Sequence, residues 1–233
     1  MSSSTNDNLA VLIDADNAQA SPIHELLEEV SRYGTASVKR AYGDWSTPQL
    51  KKWKDQLHTH AIKPVQQFSY TSGKNATDSA LIIDAMDLLH TGDLNGFCLV
   101  SSDSDFTPLA ARIREAGLVV YGFGERKTPQ PFVAACDKFI YTDILEPPKA
   151  KSGKGKTKYP SPEKMLRKAV DGAAQDNGWA NLGTVGSMLV KNNPSFDARN
   201  YGFKKLIEMM KEQSYLEVQK EKGGSGVLVK LKN

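Results

Sequence analysis

The chain has 233 residues, 39% of them hydrophobic, with 8 Phe, 8 Tyr and 3 Trp; this is enough to build a core, and it excludes a wholly disordered polypeptide. At roughly 100–200 residues per domain, the length allows one large or two smaller domains. The net charge of +3 hides an asymmetry, because residues 1–150 carry net −5 and residues 151–233 net +8. A basic part able to hold a polyanion thus follows an acidic part able to gather carboxylates around cations.

In chain order, the polar start MSSSTNDN reads as a loose tail and not as a secretory signal. Leu9–Ile13 is a short, continuous apolar run of the kind a buried parallel strand requires. Pro22 opens a helix with Ile23, Leu26, Leu27 and Val30 on one face, and Gly34 ends it. Ala36–Tyr42 reads as a strand, Pro48 to Leu57 as a short helix and Ala61–Val65 as a third strand. Thr77 to His90 is a helix, apolar at Leu81, Ile82, Ala85, Leu88 and Leu89. Gly96–Val100 is a fourth strand, Phe106–Ala116 a helix closed by Gly117, and Leu118–Phe123 a fifth strand. Pro131–Ala135 and Phe139–Ile144 complete this part. Strands alternating with helices imply right-handed crossovers and a mainly parallel α/β sheet flanked by helices. No apolar run approaches the roughly 20 residues that span a bilayer, so no membrane partner is expected. Two cysteines, Cys98 and Cys136, are too few for a disulfide framework and too isolated for a zinc site, which suggests a reducing cytoplasm.

In parallel sheets, ligands bind at the carboxyl ends of the strands. Three acidic clusters fall at such positions. Asp14-Ala15-Asp16-Asn17 follows the first strand, Asp103-Ser104-Asp105 follows the fourth, and Asp78 sits in the first turn of the helix after the loop Ser72-Gly73-Lys74-Asn75-Ala76. Each alone suits a turn or a helix cap. Converging on one rim they would repel one another, a tension that a hard divalent cation such as Mg²⁺ or Mn²⁺ relieves. Asp84 lies six positions beyond Asp78 and therefore off its stripe of the helix. His24, His58, His60 and His90 are dispersed and form no catalytic set. Trp45 and Trp53 read as packing residues before base-stacking ones.

VLIDADNA (Val11–Ala18), KNATDSALIIDAMDLL (Lys74–Leu89) and VSSDSDFTPLAARIREAG (Val100–Gly117), in that order, resemble the NYN domain family, a branch of the PIN-like nucleases, over residues 8–145. The resemblance implies a PIN-like α/β fold and metal-dependent RNA cleavage. It also implies that Asp14, Asp78 and Asp103 bind metal, with Asp105 a fourth pocket acid and Asn17 a polar pocket residue. Asp84 matches a recurrent helix acid of the family and Ser102 stands where many members have Gly, both as candidate supporting residues. Apart from the resemblance, Lys74 and the loop Gly124–Thr128 with Arg126 and Lys127 read from the residues themselves as either RNA-phosphate contacts near the rim or ordinary surface charge.

Residues 146–161, rich in Pro, Gly and Lys, read as a flexible linker to a second domain at 162–233. Pro162 starts a helix carrying Met165, Leu166, Ala169 and Val170, Gly178–Leu182 is a turn, and Leu182 to Val190 a second helix. Asp197 caps a third helix with Tyr201, Phe203, Leu206, Ile207 and Met210 as its apolar residues. Tyr215–Gln219 and Val227–Leu231 flank Lys222–Gly226, a hairpin signal that completes a winged-helix plan. GWANLGTVGSML (Gly178–Leu189) and FDARNYGFKKLIEMM (Phe196–Met210) resemble the LOTUS, or OST-HTH, domain, which implies RNA binding with a leaning to G-rich RNA, or protein binding as in some members, while the winged-helix plan itself leaves DNA binding open. Arg199, Lys204, Lys205 and Lys222 are the candidate contacts. The combined expectation is a metal-dependent ribonuclease with an RNA-tethering module. Two alternatives stay open. One is a non-catalytic RNA-binding adaptor. The other is a phosphatase of the haloacid-dehalogenase kind, whose Asp-x-Asp nucleophile Asp14-Ala15-Asp16 echoes.

Overall fold

The structure, a computed structural model, describes residues 7–68, 76–145, 161–221 and 226–232. The chain forms two compact units, Met1–Pro147 and Pro148–Asn233. The loop holding Lys74, the linker up to residue 160 and Lys222 lie outside the described residues.

The first unit is a six-stranded, wholly parallel sheet of β1 (Asn8–Asp14), β2 (Thr35–Gly43), β3 (Lys63–Gln66), β4 (Gly96–Val100), β5 (Val119–Gly124) and β6 (Lys138–Tyr141), in the order β3-β2-β1-β4-β5-β6. The helices are α1 (Ile23–Val30), α2 (Lys51–Thr59), α3 (Ala76–Thr91), α4 (Thr107–Glu115) and α5 (Gln130–Ala135). The continuous apolar run of β1 takes the centre of the sheet, where both faces are covered: Leu9 to Ile13 are all essentially inaccessible to solvent. On one side Ile23, Leu26, Leu50, Trp53 and Cys98 join its core. Trp53 is buried and Trp45 donates its indole N–H to the Val65 carbonyl at 3.0 Å, so both tryptophans pack and do not stand free. Cys98 and Cys136 are free and buried, and burial pushes the Cys136 thiol up to about 12.

Element boundaries depart from the sequence pattern where local geometry intervenes. The third strand starts at Lys63 and not at Ala61, because Ala61 takes a left-handed φ of 50° in closing the turn after α2. The helix expected from Phe106 is preceded by a 3₁₀ turn over Ser104–Phe106 that Asp103 caps, accepting from the Asp105 N–H at 2.9 Å. At Gly122, β5 passes so close to β6 that a Cβ would lie 2.4 Å from the Phe139 ring.

The second unit holds α6 (Glu163–Ala173), β7 (Ala180–Asn181), α7 (Leu182–Asn192), α8 (Leu206–Lys211), β8 (Leu216–Lys220) and β9 (Val227–Leu231), with an antiparallel sheet ordered β7-β9-β8. Leu166, Val170, Val185, Leu189, Met209, Met210 and Val229 form its core, with Tyr201 and Phe203 packed against it. The third helix of the winged-helix plan is split. Asp197 caps only a 3₁₀ turn over Ala198–Tyr201, which Gly202 ends at a φ of 86°, and a separate α8 begins at Leu206. The segment Ala180–Asn181, expected as a turn, also pairs with β9 and makes the sheet three-stranded.

Candidate metal centre

The strand order reverses between β1 and β4. Crossovers leave these neighbours toward opposite edges, and a crevice opens at their carboxyl ends, the place where ligands bind in open parallel sheets. Ile13 pairs with Val100, so the residues after them, Asp14 and Ser101, meet side by side in that crevice.

Asp14 is fully buried. Its Oδ2 accepts from the Ser101 hydroxyl at 2.8 Å and from Asn17 Nδ2 at 2.9 Å, and its Oδ1 accepts from the Asn17 backbone N–H at 3.3 Å. Burial nevertheless holds its pKa above the ordinary value, outweighing those bonds, and Asp16 adds to the rise. The Ser101 hydroxyl also accepts from the Asp103 N–H at 3.1 Å, tying the loop after β4 to the end of β1. Across the crevice, Thr77 donates to Asp16 Oδ2 at 2.8 Å, which draws the first turn of α3 to the loop after β1. Asp78 follows Thr77, is only 9% exposed, and is pushed up to about 6 by burial and by the charges of Asp14, Asp103, Asp105 and Asp16. Carboxylate oxygens of Asp78, Asp103 and Asp105 all lie within 4.8 Å of one another. Opposed ligands around a Mg²⁺ at about 2.1 Å stand roughly 4.2 Å apart, so a slight contraction would close this set on an ion.

Asp14, Asn17, Asp78, Asp103 and Asp105 thus converge. The ion-sized group is Asp78, Asp103 and Asp105, and the fully buried Asp14 is the charge that acts most strongly on Asp78. A cavity of about 250 Å³ opens beside the acids, lined by Asn17, Ser102, Asp103, Ser104, Lys127 and Pro129. Ser102 accepts the Glu125 N–H at 2.8 Å. Lys127, 71% exposed, pairs with Glu125 at 3.1 Å, and Glu125 also accepts from Gln19 at 3.3 Å. Arg126 is directed away, bonded to Asp143 at 2.6 Å with its guanidinium 5.5 Å over the Tyr141 ring. Asp84 turns from the acids to β2, where Arg40 and Tyr42 both donate to it. It anchors α3 instead of lining the cup. Asp84→Asn is expected to lower stability by roughly 1–3 kcal/mol in thermal melts, because the partly buried Arg40 loses its charged partner. In the second unit, Arg199 is held in a two-pronged pair with Asp197 at 2.9 and 2.7 Å, whereas Lys204 and Lys205 are exposed.

Thr77 and Ser101 are the residues the sequence reading did not single out. The signal for Ser101 is its position one residue past the strand beside β1, and it becomes readable only once β1 and β4 are known to be neighbours.

The NYN domain matches residues 8–145 and the OST-HTH/LOTUS domain residues 159–228. Among solved structures, a protein of unknown function from Vibrio parahaemolyticus shares the fold at 20% identity, covering 60% of this chain and 96% of its own, with a TM-score of 0.50. An uncharacterized protein from Nitrosomonas europaea is 30% identical over 38% of this chain and 89% of its own, with a TM-score of 0.31. A segment of a Chromobacterium violaceum protein is 41% identical over 34% of this chain and 87% of its own, with a TM-score of 0.27. No curated protein matches the chain. No helix among the described residues is long and apolar enough to cross a membrane. With its parallel sheet, its acids at the strand-order reversal and a family match over most of its length, the chain belongs to the NYN domain family of PIN-like nucleases and carries an OST-HTH/LOTUS domain behind it.

Proposed function

We propose that this protein is a divalent-metal-dependent ribonuclease, using Mg²⁺ or Mn²⁺, whose second unit tethers the RNA. One observation carries the reading: Asp78 is buried against Asp14, Asp16, Asp103 and Asp105, and among the described residues every charge that raises or lowers its pKa is negative. Such an arrangement is unfavourable without a cation. The donors are all carboxylate oxygens, with no His or Cys among them, which suits Mg²⁺ or Mn²⁺ over zinc. Asp78, Asp103 and Asp105 would hold the ion. Bound there, it would neutralise phosphoryl charge and acidify a water.

The chain's own residues do the positioning. Asn17 and Ser101 fix Asp14 beside Asp78, and the Ser101 hydroxyl and the Asp105 N–H fix Asp103. Lys127, on the wall of the 250 Å³ cavity, stands where it can take a phosphate of the bound strand. Asp14 is fully buried with both oxygens engaged, which suits a supporting acid and not a phosphatase nucleophile that must attack an incoming phosphate. Tethering by the OST-HTH/LOTUS unit would raise the local RNA concentration at the pocket. A cytoplasmic setting is part of the proposal, and the free, buried thiols of Cys98 and Cys136 accord with it.

Purified full-length protein with Mn²⁺ or Mg²⁺ is expected to cleave end-labelled single-stranded RNA and to stop on addition of EDTA. Intact RNA under both metals contradicts the reading. Glu125→Gln is expected to lower KM about 3-fold, because Lys127 loses the carboxylate that now occupies it and the cleft mouth loses a negative charge. Steady-state cleavage kinetics measure this, with kcat expected to hold.

A further inference from the structure

The second unit has a groove that the winged-helix plan does not call for. It lies between α6 and the C-terminal end of α7, encloses about 400 Å³, and is lined by Lys164, Met165, Lys168, Leu189, Asn192 and Asn193 among others. That volume falls within the range of sites that accept a small organic group of nucleotide size. Lys164 and Lys168 are four residues apart and so stand on one face of α6. Both are exposed, and neither has an ion-pair partner among the described residues. The acid of that first turn, Glu163, is engaged elsewhere: it accepts from Arg167 at 2.9 Å, and the Arg167 guanidinium lies 4.1 Å over the Tyr215 ring. The groove therefore carries two positive charges, and no carboxylate among the described residues lines it. Its apolar surface comes from Met165, which is partly exposed and packed against the core, Leu189 being fully buried. At its far side Asn192 is exposed, and its amide makes no hydrogen bond among the described residues.

We propose that this groove binds single-stranded RNA, seating one unstacked base on Met165 with its edge toward Asn192 and the flanking phosphates on Lys164 and Lys168. Cationic rim, apolar surface and amide edge are the three elements that single-strand recognition combines. An acidic peptide would use the lysines but would leave the apolar surface and the amide edge without a role. The third-helix surface offers less than its sequence suggests, since Asp197 already occupies Arg199. The proposal rests on the reading that the second unit tethers RNA, and it assigns the surface that does so.

The test uses full-length protein in EDTA, so that RNA binds without being cut, and follows the anisotropy of a labelled single-stranded RNA between 0.05 and about 0.3 M salt. Lys164→Ala/Lys168→Ala is expected to weaken binding roughly 10-fold at about 0.1 M salt and to lower the slope of log K against log salt by about 1.4, two contacts at about 0.7 each. Lys204→Ala/Lys205→Ala is expected to have a smaller effect on both. Asn192→Ala, which leaves the charge untouched, should weaken binding at an unchanged salt slope. Matching thermal melts show that the variants remain folded. An unchanged affinity and slope in Lys164→Ala/Lys168→Ala overturns the groove, as does a glutamate-rich peptide of equal charge that binds as tightly as the RNA. If wild-type protein binds no RNA, both the groove and the tethering role fall. If wild-type protein binds and cleaves RNA while the lysine variant binds normally, only the groove falls.

Discussion

Asp78→Asn and Asp103→Asn are each expected to reduce RNA hydrolysis roughly 1000-fold. Asn preserves the shape of the side chain and removes the charge, and each variant takes one of three convergent carboxylates from the ion-sized group. A divalent ion contributes several kcal/mol of transition-state charge stabilisation, and each 1.36 kcal/mol is tenfold in rate. Single-turnover cleavage of labelled RNA under saturating Mn²⁺ measures the loss. The same assay separates Asp14 from the group. Asp14→Asn should retain more activity than the other two, because Asp14 is fully buried and both of its oxygens already accept hydrogen bonds from Asn17 and Ser101. Equal losses in all three variants would place Asp14 among the ligands themselves.

The second large effect concerns stability, and its sign is opposite to the usual behaviour of a carboxylate. In the fold Asp78 keeps its proton up to about 6, whereas its ordinary value is 3.8. Between those values the folded protein binds more protons than the unfolded chain, so stability falls as pH rises through that window. The displacement corresponds to on the order of 3 kcal/mol lost by pH 7 when no cation is bound. Asp14, also raised, acts in the same direction. In EDTA, the wild type is expected to melt at a higher temperature at pH 5 than at pH 7.5. Mn²⁺ should raise the melting temperature markedly at pH 7.5 and little at pH 5, where protons compete for the carboxylates. Asp78→Asn removes the penalty, so in EDTA at pH 7.5 it should be more stable than wild type while being inactive. Differential scanning calorimetry at the two pH values, with and without Mn²⁺, resolves these differences. A less stable Asp78→Asn would show that the acids are satisfied by something other than a cation.

Much of this site is legible in the sequence because its acids follow strands whose signals are strong. Leu9–Ile13 has no polar interruption, so its end at Asp14 is unambiguous, and Gly96–Val100 places Asp103 in the same way. Convergence on one rim then follows from the direction of parallel strands. Which acids share an ion does not follow, because it depends on distances of a few ångströms. The 3₁₀ turn after Asp103 brings Asp105 into the group, while the oxygens of Asp14 accept from Asn17 and Ser101. The orientation of Asp84 was legible in part. Its offset of six residues sets it off the Asp78 stripe, but its partners, Arg40 and Tyr42, lie on a strand more than 40 residues earlier. In the second unit, the apolar spacing through Tyr201 and Phe203 reads as one continuous helix. Gly202 breaks it by adopting a left-handed conformation that hydrophobic periodicity does not encode.

Calorimetric titration of Mn²⁺ into the full-length protein at pH 7.5 addresses the metal centre without recourse to substrate. The account predicts saturable binding in the wild type that weakens at least about 10-fold in Asp103→Asn and in Asp78→Asn. Absence of binding in the wild type, or equal affinity in wild type and both variants, would contradict it.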